Sequence, residues 1–304
     1  MNSLTTRTLG TTGVALTTLG YGAMELRGAR HRNPRPLEAG QAARVLNAVL
    51  DNGINVVDTS IDYGESEEAI GEAISHRRDE YFLASKCGCT LDPQLDLTPG
   101  PWPHDYTYAN VRDGVHQSLR RLRTDHLDLV QFHMNPTRAV LESEGGLDAL
   151  RELQTAGKLR FIGASSTLPN ITGHVEMGVF DAFQVPYSLL DRGHEDVITA
   201  AAQAGAGIIV RGGVARGEPG DGRGKPDVWQ RWTAAALDDL LDGETRTQFV
   251  LRYTLALPAL TTTIVGTSSL DHLQANLDAA GRGPLPADVF AEATRRVEAT
   301  STPS

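Results

Sequence analysis

Short apolar or β-branched runs alternate with amphipathic stretches along the chain. Leu16–Ala23, Asn55–Ser60, Tyr81–Lys86, Leu127–His133, Arg160–Ser166, Ala182–Tyr187, Gly207–Gly212 and Thr262–Thr267 predict eight strands. Between them Ala42, Val45, Leu46 and Val49 recur at helical spacing, as do Tyr108, Val111, Val115, Leu119 and Leu122. Asp51-Asn52-Gly53 and Ala156-Gly157 read as helix stops, since helices commonly end on a left-handed residue that glycine tolerates. Eight strand-then-helix units with near-continuous apolar strands predict an α/β fold, a parallel (β/α)8 TIM barrel, in one domain over residues 1–304. A hairpin is expected in residues 1–15. Extra helices are expected after strand seven, at about Val228–Leu241 and Glu244–Leu257, and at the C-terminus near Ala287–Glu298. The rival, a doubly wound sheet, would carry Gly-x-Gly-x-x-Gly after its first strand, and Leu19-Gly20-Tyr21-Gly22-Ala23-Met24 does not match it.

The barrel reading gives meaning to polar residues at strand ends, because barrel enzymes build their sites at that face. The second strand delivers Asp58 and a turn carrying Tyr63, the third ends in Lys86 and the fourth in His133. Each alone has an ordinary explanation: a turn-forming Asp, a packed Tyr, a solvated Lys, a satisfied core His. Arrival of all four at neighbouring strand ends does not, because only Lys86, Lys158 and Lys225 among the 28 basic residues are lysines. A tyrosine with a reference pKa of about 10 is a poor proton donor or acceptor at neutral pH, and an adjacent ammonium favours its phenolate. With Asp58 fixing the lysine and His133 bonding to the same oxygen, such a Tyr can protonate a carbonyl that receives hydride. Long connections at Gly88–Tyr106 and Gly213–Asp227 emerge on the same face.

Composition narrows the partners. A formal net charge of −10 opposes a nucleic-acid or anionic-membrane surface, although Arg211, Arg216, Arg223 and Lys225 form a basic patch able to meet a phosphorylated small molecule. No apolar run approaches the roughly 20 residues of a membrane span, and the N-terminus carries no signal-peptide core. Cys87 and Cys89 are the only cysteines, which excludes a disulfide framework. The expected location is cytoplasmic, so the sequon at Asn170 is a chance match. Cys87, next to Lys86, reads as an inert strand-end cysteine, with a redox-sensitive thiol as the alternative.

GINVVDTSIDYGESEEAIGEAI, LASKCG and LDLVQFH, followed in order by GKLRFIGASS, FDAFQVPYSLLDR and TIVGTSSLDHLQANL, resemble the aldo-keto reductase superfamily over roughly residues 5–280. The resemblance implies a (β/α)8 barrel that uses NAD(P), with a catalytic tetrad at Asp58, Tyr63, Lys86 and His133. It implies cofactor contacts at Ser165, Ser166 (where the family has Asn), Gln184, Arg211 (where many members stack an aromatic ring), and Gly212, Gly213, Val214 and Gly217. After strand eight it implies Gly266, Thr267, Ser268, His272 and Asn276. The Lys and Arg that many members use on the 2′-phosphate are replaced here by Gly266 and His272. NADP(H) is favoured on family habit, with NAD(H) the alternative. Met24, Trp102 and His104 are the substrate-pocket candidates, with Tyr106, Glu25 and Arg27 beside them; aromatic walls suit a ring substrate, and the charged pair a polyol or sugar.

The expected activity is hydride transfer to an aldehyde or ketone, or oxidation of the matching alcohol or sugar, with Tyr63 as proton donor. Two other readings remain: a cofactor-binding regulatory or sensor protein on the same fold, and a barrel hydrolase with Asp58 and His133 as metal ligands. The second lacks ligands, because such sites usually need three or more; no metal is expected.

Overall fold

The computed structural model describes residues 4–31, 33–91, 103–220 and 222–300. The N-terminal hairpin pairs β1 (Thr6–Thr8) antiparallel with β2 (Ala15–Thr17), Thr6 opposite Thr17. Eight parallel strands then close a barrel: β3 (Leu19–Gly22), β4 (Val56–Asp58), β5 (Phe82–Cys87), β6 (Leu127–Phe132), β7 (Leu159–Ser165), β8 (Ala182–Pro186), β9 (Gly207–Arg211) and β10 (Thr262–Val265). Closure runs through Thr263 opposite Leu19 and Val265 opposite Tyr21. Successive strands pair in chain order, as short right-handed crossovers require.

Helices clothe the barrel: α1 (Gln41–Asp51), α2 (Ser66–Ile74), α3 (Tyr108–Leu122), α4 (Arg138–Ser143), α5 (Gly146–Thr155), α6 (Asn170–Met177) and α7 (Glu195–Gln203). α8 (Pro226–Ala234) and α9 (Arg246–Leu255) lie between β9 and β10, and α10 (Leu270–Arg282) and α11 (Ala287–Thr300) complete the chain. Val45, Leu46 and Val49 of α1 and Val111, Val115, Leu119 and Leu122 of α3 are the buried stripes that the periodicity marks. No described helix is long and apolar enough to cross a membrane.

Two boundaries differ from expectation. The run Leu16–Ala23 is two strands, because Thr18 changes partner: its N–H donates to Thr5 O in the hairpin at 2.9 Å, while its carbonyl accepts from Thr263 N in the barrel at 2.9 Å. The switch falls on Thr17-Thr18, β-branched residues that strands favour, so the sequence pattern does not register it. The expected helix Val228–Leu241 breaks at Ala236, whose φ of 49° is left-handed, and resumes as a 3-10 turn over Leu237–Leu240. There the Trp232 indole donates to Asp238 at 2.9 Å and Arg296 donates to the Ala236 carbonyl at 2.7 Å, so tertiary contacts hold the break.

The hairpin plugs the N-terminal mouth. Leu9 and Leu16 pack with Val56, Phe82, Ala84, Leu129, Ala182 and Ile209 inside the barrel. Arg7 fastens it by donating to the carbonyls of Leu255, Leu257 and Leu260 at 3.1, 2.8 and 2.8 Å. With that end sealed, the opposite mouth is left for chemistry.

Candidate active site

Asp58 is the last residue of β4, and the chain turns at once into α2. Thr59 N donates to Ala84 O at 2.8 Å, Tyr63 N to Ser60 O at 3.0 Å, and Ser66 N to Tyr63 O at 2.9 Å. Ser66 Oγ also donates to Ala23 O at 2.9 Å. Gly64 sits at φ 52°, where a Cβ would lie 2.3 Å from the Arg27 carbonyl; only glycine lets the turn approach so closely. These contacts hold Tyr63 beside the strand ends of β4, β5 and β6.

Lys86, buried on β5, donates from Nζ to Asp58 Oδ1 at 2.6 Å and to Thr59 O at 2.7 Å. The other carboxylate oxygen accepts two side-chain amides, from Gln131 at 2.9 Å and Gln184 at 2.8 Å. An ion pair taken fully out of water is tolerable only with its remaining lone pairs satisfied, and Asp58 meets that condition. Burial alone would lower the Lys86 pKa; the charges of Asp58 and Tyr63 outweigh it and raise the value.

The Lys86 Nζ lies 4.8 Å from the centroid of the Tyr63 ring. The ammonium pulls the phenol toward ionisation, but burial is the larger effect and, with Asp58 and Asp62, pushes Tyr63 up to about 12. The expectation of a depressed tyrosine is corrected: with burial dominant, Tyr63 stays a protonated donor at neutral pH. The His133 ring stands edge-on to Tyr63 with centroids 6.0 Å apart, and burial pulls its pKa down to about 4. It is therefore a neutral imidazole. Its carbonyl accepts the Tyr106 hydroxyl at 2.6 Å, and its N–H donates to Cys87 O at 3.0 Å.

The structure thus brings together an acid, a phenol, an ammonium and a neutral imidazole from three adjacent strand ends. The family model for the aldo/keto reductase family matches residues 18–298. The chain belongs to the aldo/keto reductase family. It is 29% identical to an uncharacterized oxidoreductase, YqkF, of Bacillus subtilis, over 90% of both chains. It is also 29% identical to pyridoxine 4-dehydrogenase of Escherichia coli, covering 91% of this chain and 93% of that one. The holo form of the aldo-keto reductase AKR11C1 from Bacillus halodurans superposes with a TM-score of 0.84 at 29% identity, covering 96% of each chain. The barrel and the oxidoreductase class expected from sequence are those of this family.

Aldo-keto reductases use nicotinamide cofactors, so the rim must offer groups to hold one. Several are spare. The half-buried Arg211 guanidinium makes no hydrogen bond or ion pair with the described residues, and burial lowers its pKa next to Tyr63. In the turn that follows, with Gly212 and Gly217 both at φ 75°, the N–H groups of Gly213, Val214 and Arg216 find no acceptor among the described residues. Asn276 on α10 is buried, and its carboxamide has no partner among them either. Ser269 caps α10, beside Gly266, Thr267, Ser268 and the exposed His272. Helix starts suit anions.

Other members of the expected set are committed to the protein. Gln184 gives its amide to Asp58, and its carbonyl accepts Ser165 Oγ at 3.2 Å. Ser166 is bonded to Asn135, whose side-chain oxygen also accepts Thr167 N at 3.0 Å. Asn135, at φ 65°, therefore supplies a carboxamide beside Ser166, where the family sequence has its asparagine.

Sequence reasoning missed several neighbours. Gln131 lay in the histidine strand motif without a role; its alternation with Phe132 marked it as inward-facing. Arg35 was missed because nothing local signals that its guanidinium crosses to Ser268 Oγ, at 3.2 Å. Gln41 likewise donates to Ser268 O at 2.8 Å.

The substrate side is partly corrected. Met24 is exposed at the rim, and His104 lies 5.9 Å from His133 between ring centroids. Arg27 lines no pocket: it is buried and donates to Asn33 O at 2.5 Å and Met24 O at 3.0 Å. Glu25 is held by Arg27, Arg35 and Arg223 at 3.5, 2.5 and 3.2 Å, so no free polyol-binding pair exists. Trp102 lies outside the described residues. Cys87 is buried with its thiol pKa pushed up by burial, which makes it the inert cysteine.

Proposed function

We propose that the protein is an NADP(H)-dependent reductase of small aldehydes or ketones, working reversibly on the matching alcohols. The observation that carries this reading is the Lys86 ammonium placed between the Asp58 carboxylate, 2.6 Å away, and the Tyr63 ring, 4.8 Å away. Bound nicotinamide supplies the hydride. The chain's own residues manage the oxygen that accumulates charge. Tyr63 holds a proton at its phenolic oxygen and gives it to the alkoxide as that forms. Lys86 offsets the negative charge left on the phenol, and Asp58, clamped by Gln131 and Gln184, keeps Lys86 in place. Neutral His133 donates from one ring nitrogen and orients the carbonyl.

Ser165, Ser166, Asn135 and the remaining lone pair of Gln184 would border the nicotinamide carboxamide. Arg211 would face the ring, and Gly212 to Gly217 the pyrophosphate. At the adenosine end, Thr267, Ser268, His272 and Asn276 are joined by Arg35, and its guanidinium supports NADP(H) over NAD(H) by supplying a planar cation for a 2′-phosphate. Similarity to pyridoxine 4-dehydrogenase supports an alcohol–carbonyl substrate pair, and Met24, His104 and Tyr63 would form a partly apolar mouth for it.

The test is a fluorescence titration with NADPH and NADH on wild type and Tyr63→Phe, followed by turnover on a carbonyl panel. The expected result is unchanged NADPH affinity in the variant with turnover lowered by roughly 10²–10⁴-fold. Near-wild-type turnover of Tyr63→Phe would overturn the role of Tyr63; cofactor binding with no turnover on any carbonyl would favour the sensor.

A further inference from the structure

The sequence offers only Asp58 and His133 as metal ligands, and the structure changes both the count and the members. Asp58 is fully occupied by Lys86, Gln131 and Gln184. Beside it, Asp62, Cys89, His104 and His133 each present a ligand atom, all within 4.8 Å of one another. Cys89 Sγ lies 3.5 Å from His133 Nδ1 and 3.6 Å from His104 Nε2, and Asp62 Oδ1 lies 3.5 Å from His133 Nδ1.

Those lengths are informative. A tetrahedral zinc ion with Zn–S near 2.3 Å and Zn–N and Zn–O near 2.1 Å has ligand-to-ligand edges of roughly 3.4–3.6 Å. Three edges match with no movement, and the remaining pairs, all within 4.8 Å, close by shifts of about 1 Å or less. The Cys89 sulfur can donate to one imidazole nitrogen and accept from the other, so it is the convergence of four different ligand types at this spacing, and not an unmet proton, that points to a metal.

The scaffold holds the ligands in place. Cys89 and His104 pair across an antiparallel bridge, closed by Asp105 N to Gly88 O at 2.8 Å and Thr90 N to Pro103 O at 3.1 Å. The His104 ring stacks on Tyr106, whose hydroxyl is bonded to the His133 carbonyl at 2.6 Å. Ser60 Oγ donates to the Asp62 carboxylate. Asp62 and a Cys89 thiolate neutralise a divalent charge, and the nearby Lys86 has its own charge met by Asp58. One thiolate, two imidazoles and one carboxylate suit zinc and its transition-metal neighbours, not magnesium or calcium.

We propose that Asp62, Cys89, His104 and His133 bind one divalent cation of the zinc class, with His133 ligating through Nδ1. On binding, the Cys89 thiol gives its proton to solvent and the sulfur lone pair goes to the metal. Four protein ligands leave no open position, so the ion positions groups and activates no water. Ligation at Nδ1 leaves the remaining proton of His133 on Nε2, the tautomer a carbonyl-orienting histidine needs. This consequence rests on the reductase reading; the site itself does not.

The experiment is a cobalt titration of chelator-treated full-length protein, followed by absorption. The expected result is one equivalent of Co2+ with intense tetrahedral d–d bands and a thiolate-to-cobalt charge-transfer band, both bleached by Zn2+. Cys89→Ser should lose the charge-transfer band, and Cys89→Ser and His104→Ala should each weaken binding by roughly 100-fold or more. Circular dichroism and NADPH titration identify any variant that fails to fold, and the two variants sit on opposite sides of the bridge. A spectrum without the thiolate band, weak octahedral bands, or Cys89→Ser binding like wild type would overturn the site. NADPH binding and carbonyl turnover by the metal-free protein are read separately, so failure of the metal site and failure of the reductase reading give different results.

Discussion

The Asp58 carboxylate touches Lys86 through one oxygen and two glutamines through the other, so a single buried acid ties β4, β5, β6 and β8 into one polar unit. Gln131 and Gln184 play similar parts toward Asp58 but differ elsewhere: Gln184 also meets Ser165, on the side assigned to the cofactor, and Gln131 does not. Gln131→Leu should lower turnover by roughly 10-fold with NADPH affinity unchanged, as expected for one lost hydrogen bond to a charged group. Gln184→Leu should lower both. Steady-state kinetics with a fluorescence titration separates them, and equal effects on NADPH affinity would contradict the assignment.

Arg35 predicts cofactor preference. Its guanidinium reaches Ser268 Oγ at 3.2 Å while Glu25 holds its other branch at 2.5 Å. Removing a positioned guanidinium from a phosphate costs far more than removing it from a hydroxyl. Arg35→Ala should weaken NADPH by roughly 10- to 100-fold and leave NADH within about 2-fold, given a charge-assisted contact of about 1.5–3 kcal/mol. Parallel titrations with the two nucleotides check this, and a parallel loss for both would place Arg35 away from the 2′-phosphate.

His174 on α6 gives a pH dependence of stability. Its Nε2 lies 2.8 Å from Pro136 O, its buried Nδ1 has no partner among the described residues, and burial lowers its pKa below the usual 6.5. The unfolded chain then binds the proton more readily than the folded one. The stabilisation is complete above the unfolded pKa and is lost as pH falls toward the lowered folded value. His174→Phe should sacrifice the bond to Pro136 at every pH but remove this slope. Melting temperatures from pH 7.5 to 5.5 should fall more steeply for wild type, and equal slopes would contradict the account.

Much of this was legible in the sequence, for a physical reason. Asp58, Lys86 and His133 terminate apolar strands, and a polar residue at the end of a buried strand stands out against its neighbours. Tyr63 follows within one turn. Partners fixed by tertiary geometry were not legible: Arg35 and Ser268 are 233 positions apart, and Asp62, Cys89 and His104 show no mutual spacing that a motif could carry. The split of the first strand at Thr18 was hidden because Thr17-Thr18 is itself β-branched and reads as continuous strand. The fate of Arg27 was hidden because a buried arginine bonded to backbone carbonyls reads, in sequence, like one facing a ligand.

The closed end of the barrel supplies the last prediction. Leu9 is completely buried, and a Cβ placed on Gly207 would lie 2.2 Å from Leu9 Cδ1 and 2.6 Å from its Cγ. Gly207 is the first residue of β9, so the conflict falls at the mouth opposite the catalytic rim. Gly207→Ala must push the hairpin outward and should cost about 1–3 kcal/mol by overpacking. Leu9→Ala should cost about 2–5 kcal/mol by leaving a cavity. The two faults concern the same space, so the added methyl partly fills what the truncation empties. The double variant should therefore lose less stability than the sum of the singles, by about 0.5–3 kcal/mol in a double-mutant cycle. Denaturant unfolding measures the cycle, and carbonyl turnover of the folded variants should stay near wild type. Strict additivity would show that Leu9 yields without strain and that the glycine is not required by this contact.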